Sequence, residues 1–154
     1  MSAGWAPASG SRAAPRKPAA SDGPTPAAAE HASLGDLRIT PAGSGPLTLS
    51  PSVCKAGARE LFYGADFEDP AAGLVVRLAV DPLSGPALRV FPRTAPLEKN
   101  LLFRRSECRA FRYSLDATGW RVGTTQDYRV SLDVDCKNAS GDSISGRVSA
   151  DHCH

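Results

Sequence analysis

The sequence predicts an all-β fold, an antiparallel β-sandwich of about seven to nine strands, Ig-like in architecture, behind a disordered N-terminal tether. Three observations carry this expectation. From Leu34 onward, apolar and polar residues alternate with a period of two, as a strand with one buried and one wet face requires. The alternating runs recur at roughly 8–15 residue spacing, with Gly, Pro, Asn and Asp between them. No stretch of any length carries the 3.6-residue apolar period of an amphipathic helix.

The chain divides at residue 33. Residues 1–33 are mostly Ala, Pro, Ser and Gly, with an isolated Trp5 and no apolar periodicity. Prolines spaced through "APASGSRAAPRKPAASDGPTPAAAEHA" remove backbone donors and break helices. Such a segment buries too little apolar surface to offset the entropy of ordering it, so a solvated tether is expected. Residues 34–154 carry the strand pattern and form the expected disulfide-stapled domain.

Within the domain, "DLRIT" and "PLTLS" open the series of strands. "ELFYGADF" places Leu61, Tyr63, Ala65 and Phe67 on one face, and "GLVVRLAV" does the same with Leu74, Val76, Leu78 and Val80. "PALRVF" follows across the turn "DPLSG", and "CRAFRYSL" sets Phe111, Tyr113 and Leu115 against Arg109, Arg112 and Ser114. "DYRVSLDVDC" is the clearest run: Tyr128, Val130, Leu132, Val134 and Cys136 share one side, Arg129, Ser131, Asp133 and Asp135 the other. "SISGRVSADHC" closes the domain, paired to its predecessor around "KNASGD". "SPSVCKAGAREL" and "APLEKNLLFRR" are each expected to form no more than a short helical turn.

Four cysteines, Cys54, Cys108, Cys136 and Cys153, lie far apart, and none forms the C-x-x-C pair typical of structural zinc sites. Two disulfides in an oxidising compartment are the expectation. Pairing around "KNASGD" sets Cys136 near Ser143 and far from Cys153, which favours Cys54–Cys153 and Cys108–Cys136. Nothing near Met1 has the apolar h-region of a signal peptide. A mature or trimmed chain is therefore expected, periplasmic, outer-membrane-associated or secreted, with the N-terminal segment a possible membrane tether.

Chemistry is constrained mainly by what the sequence lacks. The only histidines are His31, in the tether, and His152 and His154, at the chain end. A nucleophile needs a base held by a scaffold within hydrogen-bond reach, and neither location offers one. With no P-loop, G-x-S-x-G or H-E-x-x-H, the expectation is a non-enzymatic protein without a cofactor. A formal charge of +2 argues against a nucleic-acid partner. His152, Cys153 and His154 form the alternative metal site, which requires a free thiol or two exposed imidazoles. The carboxylates Asp66, Glu68 and Asp69, and Asp133 with Asp135, lack the spacing of a calcium loop and are expected on solvated faces. Arg104, Arg105 and Arg109, in "LLFRRSECR", are the candidate partner-binding residues, with Asp127, Asp133 or Asp135 as cross-strand partners for the arginines. Asn138-Ala139-Ser140 matches the N-glycosylation pattern, which in a bacterial protein marks only an exposed turn.

These features are similar in type to small exported bacterial β-sandwich proteins, often lipid-anchored behind a flexible tether, and no motif assigns the chain to a family. The expected function is that of an exported binding or adaptor module for a protein partner in an envelope or extracellular assembly. The alternatives are an extracytoplasmic metal-handling protein using His152, Cys153 and His154, an inhibitor or immunity-type protein, and a lipid-binding barrel.

Overall fold

The computed structural model describes residues 34–58, 62–94 and 100–154. The expected tether, residues 1–33, and Leu61 lie outside the described residues. Ten strands form two five-stranded antiparallel sheets: β1 (Gly35–Thr40), β2 (Leu47–Leu49), β3 (Val53–Ala58), β4 (Tyr63–Asp69), β5 (Leu74–Asp81), β6 (Gly85–Pro92), β7 (Leu101–Arg104), β8 (Cys108–Val122), β9 (Thr125–Lys137) and β10 (Ser143–Cys153). The first sheet runs β2-β1-β10-β9-β8 and the second β3-β4-β5-β6-β7. The predicted sandwich is thus present, built from meanders. The chain changes sheets twice, between β2 and β3 and, through a 3-10 turn at Arg105–Glu107, between β7 and β8. β10 returns to pair with β1.

Two strands were not expected. "SPSVCKAGAREL" contains β3 and "APLEKNLLFRR" contains β7, where only helical turns were predicted. Both are edge strands, so each has a single ladder to satisfy and needs little alternation of its own. β8 also runs well past Leu115: with the start of β9 it forms a two-stranded ribbon on which Trp120 is 73% exposed.

The alternation read from the sequence sorts the rest. The inner faces contribute Leu37, Ile39, Phe67, Val76, Leu78, Leu88, Phe103, Phe111, Val130, Leu132, Val134, Ile144 and Val148, all buried in one core. Each such side chain contributes about 1.5–3 kcal/mol relative to exposure. Tyr63 shares the inner face of β4 with Ala65 and Phe67, yet it stands at the strand's end and remains 42% exposed. Around "KNASGD" the register pairs Cys136 with Ile144, one residue beyond the expected Ser143, because Ser143 pairs with Lys137.

Asn138 is more than an exposed turn residue. Its Nδ2 donates to the Leu102 carbonyl oxygen at 3.1 Å and to Asp142 Oδ2 at 2.8 Å, while its Oδ1 accepts the Asp142 N–H at 2.9 Å. Asp142 Oδ1 accepts the Ala42 N–H. The loop between β9 and β10 is thereby latched to β7 of the opposite sheet, and the amide a glycan would need is fully engaged.

Among the described residues, no helix is long and apolar enough to cross a membrane.

Candidate functional site

The two outer faces differ in their charge. On the first sheet, the register aligns Arg112, Asp133, Arg147 and Asp36 in one row, and Asp116 with Arg129 in another. A row of Ser114, Ser131 and Ser149 separates them. Arg147 Nη2 meets Asp133 Oδ2 at 2.8 Å, and Arg129 Nε lies 3.5 Å from Asp151 Oδ1. Opposite signs alternate, so this face is a solvated, self-compensated surface.

The outer face of the second sheet holds a broad cleft of about 1060 Å3. Its floor is low because Gly64, Ala79 and Ala87 follow one another across β4, β5 and β6. A Cβ on Gly64 would stand 1.8 Å from the Leu78 carbonyl oxygen, so only glycine fits there. The next row reads Lys55, Asp66, Arg77, Arg89. Arg77 Nε and Nη2 donate to the two Asp66 oxygens at 2.8 and 2.9 Å, a bidentate pair that fixes the guanidinium plane. The same guanidinium carbon lies 4.0 Å from the Phe62 ring centroid and 5.0 Å from that of Phe91. The hydrogen bond to Asp66 pushes the Arg77 pKa further up, so its charge is permanent. Beyond this row, the buried Glu68 accepts Lys55 Nζ at 2.6 Å and lies 3.5 Å from Arg93 Nε.

The residues expected to bind a partner do not form one patch. Arg104 lies on this outer face, opposite Ala87. Arg105 begins the 3-10 turn, and Arg109 sits in a bulge of β8, where its guanidinium is paired with Asp135 of the first sheet. A sheet crossover therefore separates Arg104 from Arg109, and Arg109 already has its counter-charge. The acidic turn "ADFEDP" disperses as well. Asp66 and Glu68 serve the cleft, while Asp69 accepts the Ser50 and Ala72 N–H groups at the β4–β5 turn. Neither Asp66 nor Glu68 is on a solvated face as expected, because each lies beneath a cation.

The chain terminus also differs from the metal site considered for it. The disulfides are Cys54–Cys153 and Cys108–Cys136, the pairs named from the hairpin register, and no cysteine is free. Cys153 is fully buried and its sulfur is bonded to Cys54, so His152-Cys153-His154 offers no thiolate. The imidazoles turn to Asp127 instead: His152 Nδ1 lies 3.0 Å from Oδ2 and His154 Nδ1 3.6 Å from Oδ1. Asp127 is 1% exposed and also accepts the Thr118 hydroxyl at 2.7 Å and the Cys153 N–H at 3.0 Å. Chiefly the Thr118 hydroxyl, then His152, pull its pKa down to about 2. Asp127 is thus a tail clamp and not the arginine partner expected. Among the described residues, no group of three or more His, Cys, Asp or Glu is arranged to hold a metal.

Sequence reasoning missed Lys55, Phe62, Arg77, Arg89 and Phe91. A signal for two of them was present. Arg77 and Arg89 are the single charges in "LVVRLAV" and "PALRVF", placed symmetrically about "DPLSG". Folding that hairpin sets them side by side. Two disulfides with no free thiol point to an oxidising, non-cytoplasmic compartment. No family model, curated protein or solved structure matches the chain.

Proposed function

We propose that this protein is a non-enzymatic, exported binding or adaptor module that recognises a protein partner through the outer face of its second sheet. The observation that carries this reading is the contrast between the faces. One is charge-compensated row by row, whereas the other is concave and places an immobilised, aromatic-sandwiched Arg77 beside Arg89. Folding alone gives no reason to set two arginines in direct register, since like charges opposite one another destabilise a sheet. A preorganised guanidinium flanked by aromatic rings is a common anchor in protein interfaces.

An oxidising location favours a partner in a bacterial envelope or extracellular assembly. A periplasmic, outer-membrane-associated or secreted home, with the N-terminal segment as a tether, belongs to the same proposal. Arg104 borders the face, and Leu102 of the same "LLFRRSECR" stretch pairs with Arg89 on it.

Site-specific photo-crosslinking tests the proposal. A photoreactive residue in place of Ala87, on the cleft floor, is expected to trap one discrete protein in cells exporting the full chain. The same residue in place of Ser131, on the outer face of the first sheet, is expected to trap none. Equal trapping at both positions, or none at Ala87, overturns the reading.

A further inference from the structure

The layering of charge within the cleft points to the chemistry of its partner. Asp66 and Glu68 have side chains only 14% and 8% exposed, whereas Lys55, Arg77 and Arg93 above them are 45%, 28% and 53% exposed. The carboxylates form the lower layer and the cations the layer that meets solvent. The cleft lining carries three arginines, Arg77, Arg89 and Arg93, and three carboxylates, Asp66, Glu68 and Asp81, with Lys55 beside it on β3. Asp81, at the rim, is held by the Leu83 and Ser84 N–H groups of its own turn.

Within this layer the arginines differ in their commitments. Asp66 occupies Nε and Nη2 of Arg77, which leaves Nη1 outside that pair. Among the described residues, Arg89 makes a single long bond of 3.3 Å from Nη1 to the neutral Asn100 Oδ1, and its register neighbours are Arg77 and Leu102. Among the described residues, no carboxylate other than Asp66 is bonded to either of the two guanidinium groups.

The third feature is spacing along β6. Arg89 and Phe91 share the outer face of β6, Phe91 only 7% exposed beside the Arg77 guanidinium, and Arg93, in the turn that follows, also lines the cleft. The Arg93 N–H bonds the Gly73 carbonyl oxygen, which holds the start of the turn against the end of β5. At about 3.3 Å per residue, Arg89 and Arg93 stand about 13 Å apart with an aromatic ring midway. An extended polypeptide has the same repeat, so carboxylates four residues apart match the two arginines.

We infer that the outer face of the second sheet binds an acidic, extended segment of a partner protein, with Arg89 and Arg93 holding its carboxylates. This inference rests on the proposed recognition role of the face and adds the class of ligand. A nucleic acid fits less well. Its closely spaced phosphates would approach the Asp66 and Glu68 carboxylates, and the chain as a whole carries a formal charge of only +2.

The test is an amide-shift NMR titration of the full oxidised chain. The probe is an end-capped peptide with aspartates at its first and fifth positions and leucine at its third. The control carries asparagine at both ends. Shifts are expected on the outer positions of β4, β5 and β6, with about tenfold weaker binding of the control and weakening by added salt. Arg89→Glu with Arg93→Glu, both at exposed positions or nearly so, is expected to lose the acidic peptide and to gain a lysine-ended one. Unchanged shifts at Leu132 and Val134 certify its fold. Equal affinity for the control, absence of binding, or shifts on the first sheet would overturn the inference. Loss of peptide binding with crosslinking at Ala87 retained removes the acidic-segment chemistry and leaves the recognition face standing. Loss of both removes the face as well.

Discussion

Cys54 on β3 is bonded to Cys153 on β10, and among the described residues this bond is the one covalent tie between the two sheets. The other disulfide, Cys108–Cys136, joins neighbouring strands of the first sheet in register. The sequence separations are 99 and 28. In the chain-entropy account, closing the longer loop contributes about 4–5 kcal/mol and the shorter about 3.5 kcal/mol. Replacing Cys54 and Cys153 together by alanine is therefore expected to destabilise the domain more than replacing Cys108 and Cys136. Urea unfolding of both double variants checks the order, and a reversed order would locate the dominant constraint within the first sheet.

The clamp around Asp127 predicts a particular acid limb. Its carboxyl falls from 3.8 to about 2 on folding, so the unfolded chain takes up its proton first as pH drops. The associated stability is present in full above about pH 3.8 and is lost as pH falls toward 2. Asp81 and Asp133 are shifted in the same direction, the first by turn N–H groups and the second by Arg147, so wild type declines through several groups at once. Asp127→Asn is expected to be less stable at neutral pH and to decline less steeply across that window. Tm against pH for the two proteins isolates the Asp127 share, and identical slopes would show that the clamp does not couple to folding.

The Asn138–Asp142 latch makes a prediction about the seam between the sheets. Asn138→Ala removes a partner from the Leu102 carbonyl and from both the backbone and side chain of Asp142, which is 8% exposed. A cost of about 1–3 kcal/mol is expected for stranding such groups. Hydrogen exchange should accelerate at Asp142, whose N–H the Asn138 side chain accepts, before it accelerates in the centre of β9. Uniform acceleration would instead mean that the loop and sheet open as one unit.

How far the sequence could be read depended on how many ladders a strand has to satisfy. "DYRVSLDVDC" lies between two neighbours and packs one face on the core, so from Arg129 to Cys136 its burial follows the alternation residue by residue. "VCKAGA" and "LLFR" lie at edges, where Ala, Gly and four residues of backbone suffice. The outward ribbon of β8 was unreadable for another reason: both of its sides face water, so "ATGWRV" carries no alternation at all. The cleft required register. Arg77 is visible in the sequence as a charge in an apolar run, but its partner Asp66, its neighbour Arg89 and its Phe62 and Phe91 sandwich come from separate segments that only pairing brings together. Cysteine pairing was more tractable, because a single hairpin register excluded the nearest combination.

The arginines of the cleft should separate into one that builds the face and one that serves it. Arg77 is 28% exposed and neutralises Asp66, which is 14% exposed, so Arg77→Ala leaves a largely buried carboxylate without its bidentate partner. A loss of about 2–3 kcal/mol is expected. Arg77→Met combined with Asp66→Leu removes both charges and keeps the volume, and it should recover most of that loss. Arg89 is exposed and, among the described residues, makes only the long contact to Asn100, so Arg89→Ala is expected within about 0.5 kcal/mol of wild type. Urea unfolding of the three variants, set beside their affinities for the acidic peptide, supplies the comparison. The expected pattern is weakened binding in all three and a marked stability loss only in Arg77→Ala. A stability loss at Arg89 as large as that at Arg77 would mean that both arginines serve the fold, and that their juxtaposition is structural.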